Sequence, residues 1–323
     1  MLDNFLGQTK ATEQLRIEIA NGHPLPHMLI LGPPGSGKTT LARSVASELD
    51  VPFEVLHCPN VKDRDAVTDK VLKAQGGILF CEEIHALRRD FAEDLYTVID
   101  RNEVTIDWEI TEPGKVPAVV EYEDDSIDLE MIEGEVPTGR YQKVNHPIDS
   151  LTIIGATTDE ALLPEAFLSR LSGLVVRLRE YDVRDLYDIA VRHAQDTHQM
   201  MLQAFPAAEI VGRSRGNPRR LLHLVDRAVS RAKQENLTVI NAKLTYATFK
   251  ALDVDEYGLE APHRKMLSLL TSPVSRTTLA QQMGMPPKNS DMYFGELVRL
   301  GMATINRKHE ITEYGRQAIR DQT

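Results

Sequence analysis

Eight residues, Gly32 to Thr39 (GPPGSGKT), fit the spacing GxxxxGK[ST], and an apolar run, Met28 to Leu31, precedes them while an amphipathic helical pattern opens at about Lys38. Strand, glycine-rich loop and helix in that order make a phosphate cradle. Gly32, Gly35 and Gly37, spaced by Pro33, Pro34 and Ser36, let successive backbone N–H groups turn inward on phosphate oxygens, with the positive end of the helix behind them. Lys38 is set to neutralise the β- and γ-phosphate oxygens, Thr39 offers its hydroxyl to magnesium, and Thr40 completes the cofactor-binding set. The chemistry implied is binding of ATP with Mg2+.

A second stretch, ILFCEEIHAL (78–87), ends an apolar strand on two carboxylates. In a nucleotide hydrolase the first of such a pair serves magnesium and the second polarises the attacking water, which gives Glu82 the metal and Glu83 the base. An aspartate is expected at the first position. Magnesium keeps several waters and asks the protein for one or two oxygens, so a carboxylate one methylene longer can still serve. The expectation is a competent but slower ATPase; the alternative is a protein that binds nucleotide and acts as a switch.

The elements that carry these groups read as three domains. Met28 to Leu31, GGILFCEEI and LTIIGATT (151–158) are continuous apolar strands of the kind buried on both faces of a parallel sheet, giving an α/β domain over 1–180. Residues 181–252 read as a helical lid whose helices are separated by RSRGNP and ENLTVI. In 253–323, APHRKMLSLL, RTTLAQQMG and SDMYFGELVRLG are helical and MATINRKHEIT gives two short strands about a polar turn, the pattern of a winged helix. SDMYFGELVRLG then takes the recognition-helix position, and Arg307 and Lys308 at the wing tip are candidates for DNA phosphate contacts. The competing reading makes Met292, Tyr293, Phe294, Leu297 and Val298 core residues and the wing a packing or protein-binding element.

Composition narrows the classes further. Of 323 residues 42 % are apolar and 26 % charged, ordinary for a globular protein, and no stretch reaches the ~18 apolar residues that span a bilayer. The start, MLDNFLGQTKATEQ, lacks a signal peptide's basic and apolar runs, and Cys58 and Cys81 fit neither a disulfide framework nor a zinc site, so a cytoplasmic protein with no membrane contact is expected. The net charge of −11 is concentrated: thirteen acids against three cations between Glu103 and Asp149 make a local −10. A basic surface elsewhere is therefore not excluded. Within that acidic region EVTIDWEI, AVVEYEDD and IDLEMI alternate as strands do, which predicts an enlarged, sheet-like β insertion.

Taken together, LDNFLGQ, GPPGSGKTTLA, ILFCEEIHAL, IGATT, LSRLSG, RSRGNPRRL and VDEYGLEAPHRKMLSLL resemble the RuvB family of AAA+ motors, which drive Holliday-junction branch migration. The resemblance covers the chain apart from about 103–149. It implies an AAA+ P-loop domain, a lid and a winged helix, with Lys38, Thr39, Glu82 and Glu83 at the phosphates and Thr157 or Thr158 as sensor 1. It further implies that Arg170 is an arginine finger offered to a neighbouring subunit, that Arg219 is sensor 2, and that Tyr181, Pro218 and the Leu2–Gln8 segment, with Leu2, Phe5 and Leu6, enclose adenine. A hexameric ring acting on branched or double-stranded DNA follows from the same resemblance. The family docks its partner RuvA on a β-hairpin between the second and third core strands; here that region is longer and strongly acidic, so a protein partner with a basic surface is expected on the acidic insertion, either RuvA-like or of another kind. Two rivals remain: a loader or remodeller that places another protein on DNA, and an ATP-gated scaffold.

Overall fold

The computed structural model of the chain describes residues 2, 5–121, 127–306 and 308–320, with the backbone alone from 115 to 132. Arg307 thus lies outside the described residues. Two compact units emerge: Met1–Pro33 with Gly37–Leu178, and Pro34–Ser36 with Arg179–Thr323. Among the described residues no helix is long and apolar enough to cross a membrane.

The first unit is built on five parallel strands, β1 (Met28–Leu31), β2 (Phe53–His57), β3 (Ile78–Glu82), β6 (Thr152–Thr157) and β7 (Leu174–Arg177), in the order β2-β3-β6-β1-β7. Its three central strands are the apolar runs of the sequence, buried along their length except at Glu82. Because successive side chains alternate across a strand, Met28 and Ile30 face one layer, with Leu15 of α1 (Thr9–Ala20) and Leu41 and Val45 of α2 (Lys38–Leu49). Leu29, Leu79 and Ile153 face the other, with α3 (Arg64–Lys73), α4 (Arg89–Arg101) and α5 (Glu165–Leu171). Gly155 in β6 permits that second layer to close: a Cβ there would come 2.8 Å from Leu171 Cδ1 and 3.1 Å from Ile84 Cδ1.

Between α4 and β6 the acidic region forms the expected sheet-like insertion with two long antiparallel strands, β4 (Glu103–Glu121) and β5 (Ile127–Pro147). EVTIDWEI and the start of AVVEYEDD are both on β4, with the register shifting between Ile110 and Thr111. Val104 anchors the root in the core and Ile106 packs against it, while Trp108 on the same strand face is 56 % exposed.

The second unit holds two cores. In one, α6 (Val183–His198), α7 (Ala204–Arg213), α8 (Pro218–Gln234) and α9 (Ala242–Ala251) bury Leu186, Ile210, Leu221, Val225 and Phe249, and two short strands, β8 (Met201–Leu202) and β9 (Val239–Ile240), pair in parallel. Polar caps start these helices where the sequence offers them: Asp182, Asn217 with Pro218 behind it, and Asn241. In the other, α10 (Ala261–Leu269), α11 (Arg276–Met283), α12 (Pro287–Arg299), the antiparallel pair β10 (Ala303–Asn306) and β11 (Lys308–Ile311), and α13 (Glu313–Arg320) enclose Met266, Leu279, Phe294 and Leu297. Of the residues read as core on α12, Phe294 and Leu297 are buried and Tyr293 packs against them, whereas Met292 and Val298 are exposed. Ion pairs join the two cores: Arg215 reaches Glu296 at 2.8 Å, Arg220 pairs with Glu260, and Arg264 pairs with Asp253.

Candidate nucleotide-hydrolysis site

The glycine-rich loop leaves the C-terminal end of β1 at Gly32, whose N–H donates to Thr157 O of β6 at 3.3 Å. Gly35 and Gly37 both take positive φ, 80° and 91°, the left-handed turn that only glycine makes without strain. Lys38 is buried at the first turn of α2, and its Nζ donates to Gly32 O at 2.9 Å and Pro33 O at 3.2 Å. Thr40 is exposed one residue after Thr39, and Pro34 is exposed at the loop tip. Inside the second unit, to which the tip Pro34–Ser36 belongs, Tyr181 OH donates to Ser36 O at 3.0 Å.

Glu82 ends β3 beside this loop. Its Oε1 accepts from Thr39 Oγ1 at 3.3 Å, and its Oε2 lies 2.6 Å from His57 Nδ1. The second contact is a product of sheet register, since His57 at the end of β2 is the direct partner of Glu82. Glu83 then turns out of the strand with φ 51° and ψ 51°. Its Oε2 is 3.4 Å from Thr158 Oγ1 and 3.4 Å from His85 Nδ1. His85 Nδ1 is hydrogen-bonded to Thr157 Oγ1 at 2.7 Å, and the buried Thr157 hydroxyl lies 3.1 Å from Asp159 O. The two threonines therefore differ: Thr158 touches the carboxylate, while Thr157 holds the histidine beside it. An open cleft of about 840 Å³ lies at the C-terminal ends of β1, β6 and β7, between Gly32–Pro33 and Thr158–Ala161, where ligands of parallel α/β sheets sit.

Arg170 is elsewhere in the first unit. Its guanidinium makes a bidentate pair with Asp100 of α4, Nε to Oδ1 at 2.9 Å and a terminal nitrogen to Oδ2 at 2.7 Å. It also donates to Ala166 O at 3.1 Å and lies 4.6 Å from the centroid of Tyr96. The hydrogen bond to Asp100 holds its pKa above the usual arginine value. All these partners are on α4 and α5, so within one chain the arginine is engaged away from Lys38 and Glu83.

The remaining candidates divide between the units. Leu2 is buried and Phe5 packed on the α1–α2 face of the first unit, where Leu6 is half-buried and Leu2 N donates to Glu48 Oε2 at 3.2 Å. In the second unit Pro218 opens α8 and Arg219 follows it, exposed, its backbone N–H capped by Asn217 Oδ1 at 2.9 Å. Lys308 is exposed at the start of β11. Sequence reasoning missed His57, His85, Asp100 and Tyr96. Only His85 had a local signal, its place two residues after Glu83.

Compared with known proteins, residues 1–118 match the family model described as the Holliday junction DNA helicase RuvB P-loop domain. The RuvB subunit of the Holliday junction branch migration complex of Methanoregula boonei is 33 % identical over 311 residues, 93 % of this chain and 84 % of that protein. Its Thermotoga maritima counterpart is 30 % identical over 324 residues, 97 % and 88 % of the two chains. The solved structure of the Thermotoga maritima RuvB Holliday junction branch migration motor superimposes with a TM-score of 0.73 at 26 % identity, covering 98 % of this chain and 96 % of that one. The phosphate loop thus sits in a protein whose relatives match it through sheet, lid and C-terminal helices alike; the chain is a P-loop nucleotide-binding protein and belongs to the RuvB family.

Proposed function

We propose that the chain is the ATP-hydrolysing subunit of a ring-forming motor, six subunits in the ring, that moves branched or double-stranded DNA as its Holliday-junction relatives do. The observation that carries this is the contact of Thr39 Oγ1 with Glu82 Oε1 at 3.3 Å, which joins the phosphate loop to the strand that ends in Glu83. A hydroxyl and a carboxylate side by side form the hard oxygen set that Mg2+ takes, so the residues present fit it. Thr39 and Glu82 would hold Mg2+ there, and the ion would supply positive charge against the negative charge that builds on the phosphates. Lys38 would leave its loop carbonyls for the phosphates, and Glu83 would orient the attacking water and take its proton, with Thr158 and His85 fixing the carboxylate. Arg170 would act on the site of the next subunit, where its charge stabilises the transition state. Tyr181, Pro218, Arg219 and the Leu2, Phe5 and Leu6 segment are assigned to nucleotide contacts from the second unit and the amino-terminal arm.

Lys308 and the neighbouring Arg307 would meet DNA through phosphate, contacts that suit a translocating protein because they carry no sequence choice. On the hairpin an apolar line of Val104, Ile106 and Trp108, with exposed Val144 opposite Ile106, supports docking of a RuvA-like partner. Two buried free thiols, Cys58 and Cys81, agree with a cytoplasmic setting. One contact favours the switch reading: His57 occupies Oε2 of the carboxylate assigned to magnesium. Steady-state ATPase with and without four-way-junction DNA tests the proposal. Wild-type protein should be stimulated by the junction, and Glu83→Gln should keep ATP binding while losing turnover on the order of 100-fold or more. An ATPase indifferent to DNA in the assembled protein would overturn the motor, leaving the loader if a protein partner stimulates turnover and the scaffold if none does.

A further inference from the structure

We propose that His193, His198 and Asp226 form a site for one divalent transition-metal ion of the zinc class, joining the end of α6 to α8 in the second unit. His193 and His198 are five residues apart, about 140° around an ideal helix, so no shared helix face explains their convergence. They converge because Asp226 lies between them on the packed neighbour: His193 Nε2 is 2.7 Å and His198 Nε2 2.8 Å from the same oxygen, Asp226 Oδ1. One donor atom from each of the three residues lies within 4.8 Å of the others. Both rings are about four-fifths buried, and they meet edge to face with centroids 5.2 Å apart.

The donor set decides the class of ion. Two imidazoles and one carboxylate suit zinc, cobalt, nickel or copper, and not magnesium or calcium, which take oxygen. Bonds of roughly 2.0–2.2 Å to nitrogen and oxygen separate neighbouring ligand atoms by about 3 Å or more, so each N···O pair has to open by only about half an ångström. On binding, each imidazole turns its Nε2 lone pair to the ion and carries its proton on Nδ1. For His193 that proton has an acceptor waiting, since Nδ1 is 3.3 Å from Thr197 Oγ1; such an outer partner orients metal-bound histidines generally. The bound ion would lock α6 to α8, the helix that begins at Pro218 and Arg219, and so stiffen the lid independently of nucleotide.

The test uses the full chain, stripped with a chelator and titrated with Co2+ followed by visible absorption, and with Zn2+ followed by calorimetry and thermal unfolding, in excess Mg2+. One ion per chain is expected, with a cobalt spectrum of low coordination number and a melting temperature raised by zinc and restored by chelator. His193→Gln and His198→Gln keep an amide to donate to Asp226 but lose a ligand, and each should weaken binding on the order of 100-fold; Thr197→Val, which retains all three ligands, should weaken it about 10-fold. If the wild-type chain takes up neither ion, or if both glutamine variants bind as tightly as the parent, the site does not exist and the cluster is a hydrogen-bond knot alone.

Discussion

The nucleotide edge of the first unit and the hairpin that leaves the same unit follow opposite designs. At the edge, Lys38 and Thr157 are buried, and Thr39, Glu82, Glu83 and His85 make side-chain contacts between 2.6 and 3.4 Å. Along the hairpin the ladder of backbone pairs runs unbroken but for one shift, while Trp108, Tyr141 and Val144 face solvent. The edge depends on a few atoms held in place, and the hairpin on a surface. A single truncation should therefore ruin the first, whereas the second should tolerate most single changes and respond to loss of an exposed anchor.

The largest effect expected is at Lys38. Lys38→Ala removes the only charge the loop brings to the phosphates, and turnover should fall below detection in a steady-state assay. A variant that hydrolyses ATP at the parent rate would detach the loop from the reaction and dissolve the contrast.

That much of the edge is legible in sequence, because its parts are contiguous: GPPGSGKT and ILFCEEIHAL each carry strand, turn and functional group within ten residues. The central strands β1, β3 and β6 were readable for the same reason, as continuous apolar runs. What was not readable depends on pairing across the chain. His57 meets Glu82 only through the register of β2 with β3, and β2 is half-exposed and weakly marked. Arg170 meets Asp100 across 70 residues. The terminal helix α13, eight residues of mostly polar sequence, carries too little apolar pattern to stand out. The two cores of the second unit are joined by Arg215, Arg220 and Arg264, side chains that in sequence look like solvated charges.

Next in size is the arginine. Arg170→Ala should lower turnover of the assembled protein on the order of 1000-fold, yet activity should return on mixing with Lys38→Ala subunits, which still offer their own Arg170 to a neighbour's intact site. Asp100→Ala removes the bidentate partner and leaves the guanidinium only Ala166 O and the Tyr96 ring, and an arginine misplaced by about an ångström should lower kcat some 10-fold while ATP binding stays unchanged. Co-assembled mixtures without activity would show that the site is not shared between subunits.

A smaller effect separates motor from switch. Glu82→Asp shortens the carboxylate that Thr39 and His57 share, and His57→Ala frees Oε2 altogether. Each should change kcat by only a few-fold, because Glu82 holds the metal and Glu83 serves the water. A gain of several orders of magnitude in Glu82→Asp, measured as ATP turnover in junction-saturated protein, would make the parent a switch whose hydrolysis is held back at this residue.

The smallest effect on turnover belongs to the hairpin, and there it is informative because a second readout should move strongly. Val104 and Ile106 tie its root to the core, and Ile148 N donates to Asn102 O at 2.8 Å to close the base. Replacing residues 110 to 143 by a short Gly/Ser turn leaves that root and β3 and β6 intact, so basal ATPase should stay within about twofold, the range of changes remote from a core. Trp108→Ala alone should do the same. Trp108 is a large aromatic held in the open by a paired backbone, the kind of anchor whose truncation weakens an interface by about 2 kcal/mol, roughly 30-fold in Kd. The acids that crowd the strands beyond it, with a local charge of −10 over 103–149, should add an attraction to a basic partner surface that fades as salt shortens the ~10 Å screening length at 0.1 M. Binding to a RuvA-type junction protein, followed by titration at two salt concentrations, reads both contributions. Trp108→Ala should lower affinity at either salt, and charge-neutral substitution of Glu109 and Glu112 should lower it only at the lower one. Equal affinity in all three proteins would remove the hairpin from docking and leave its acids a solubilising role.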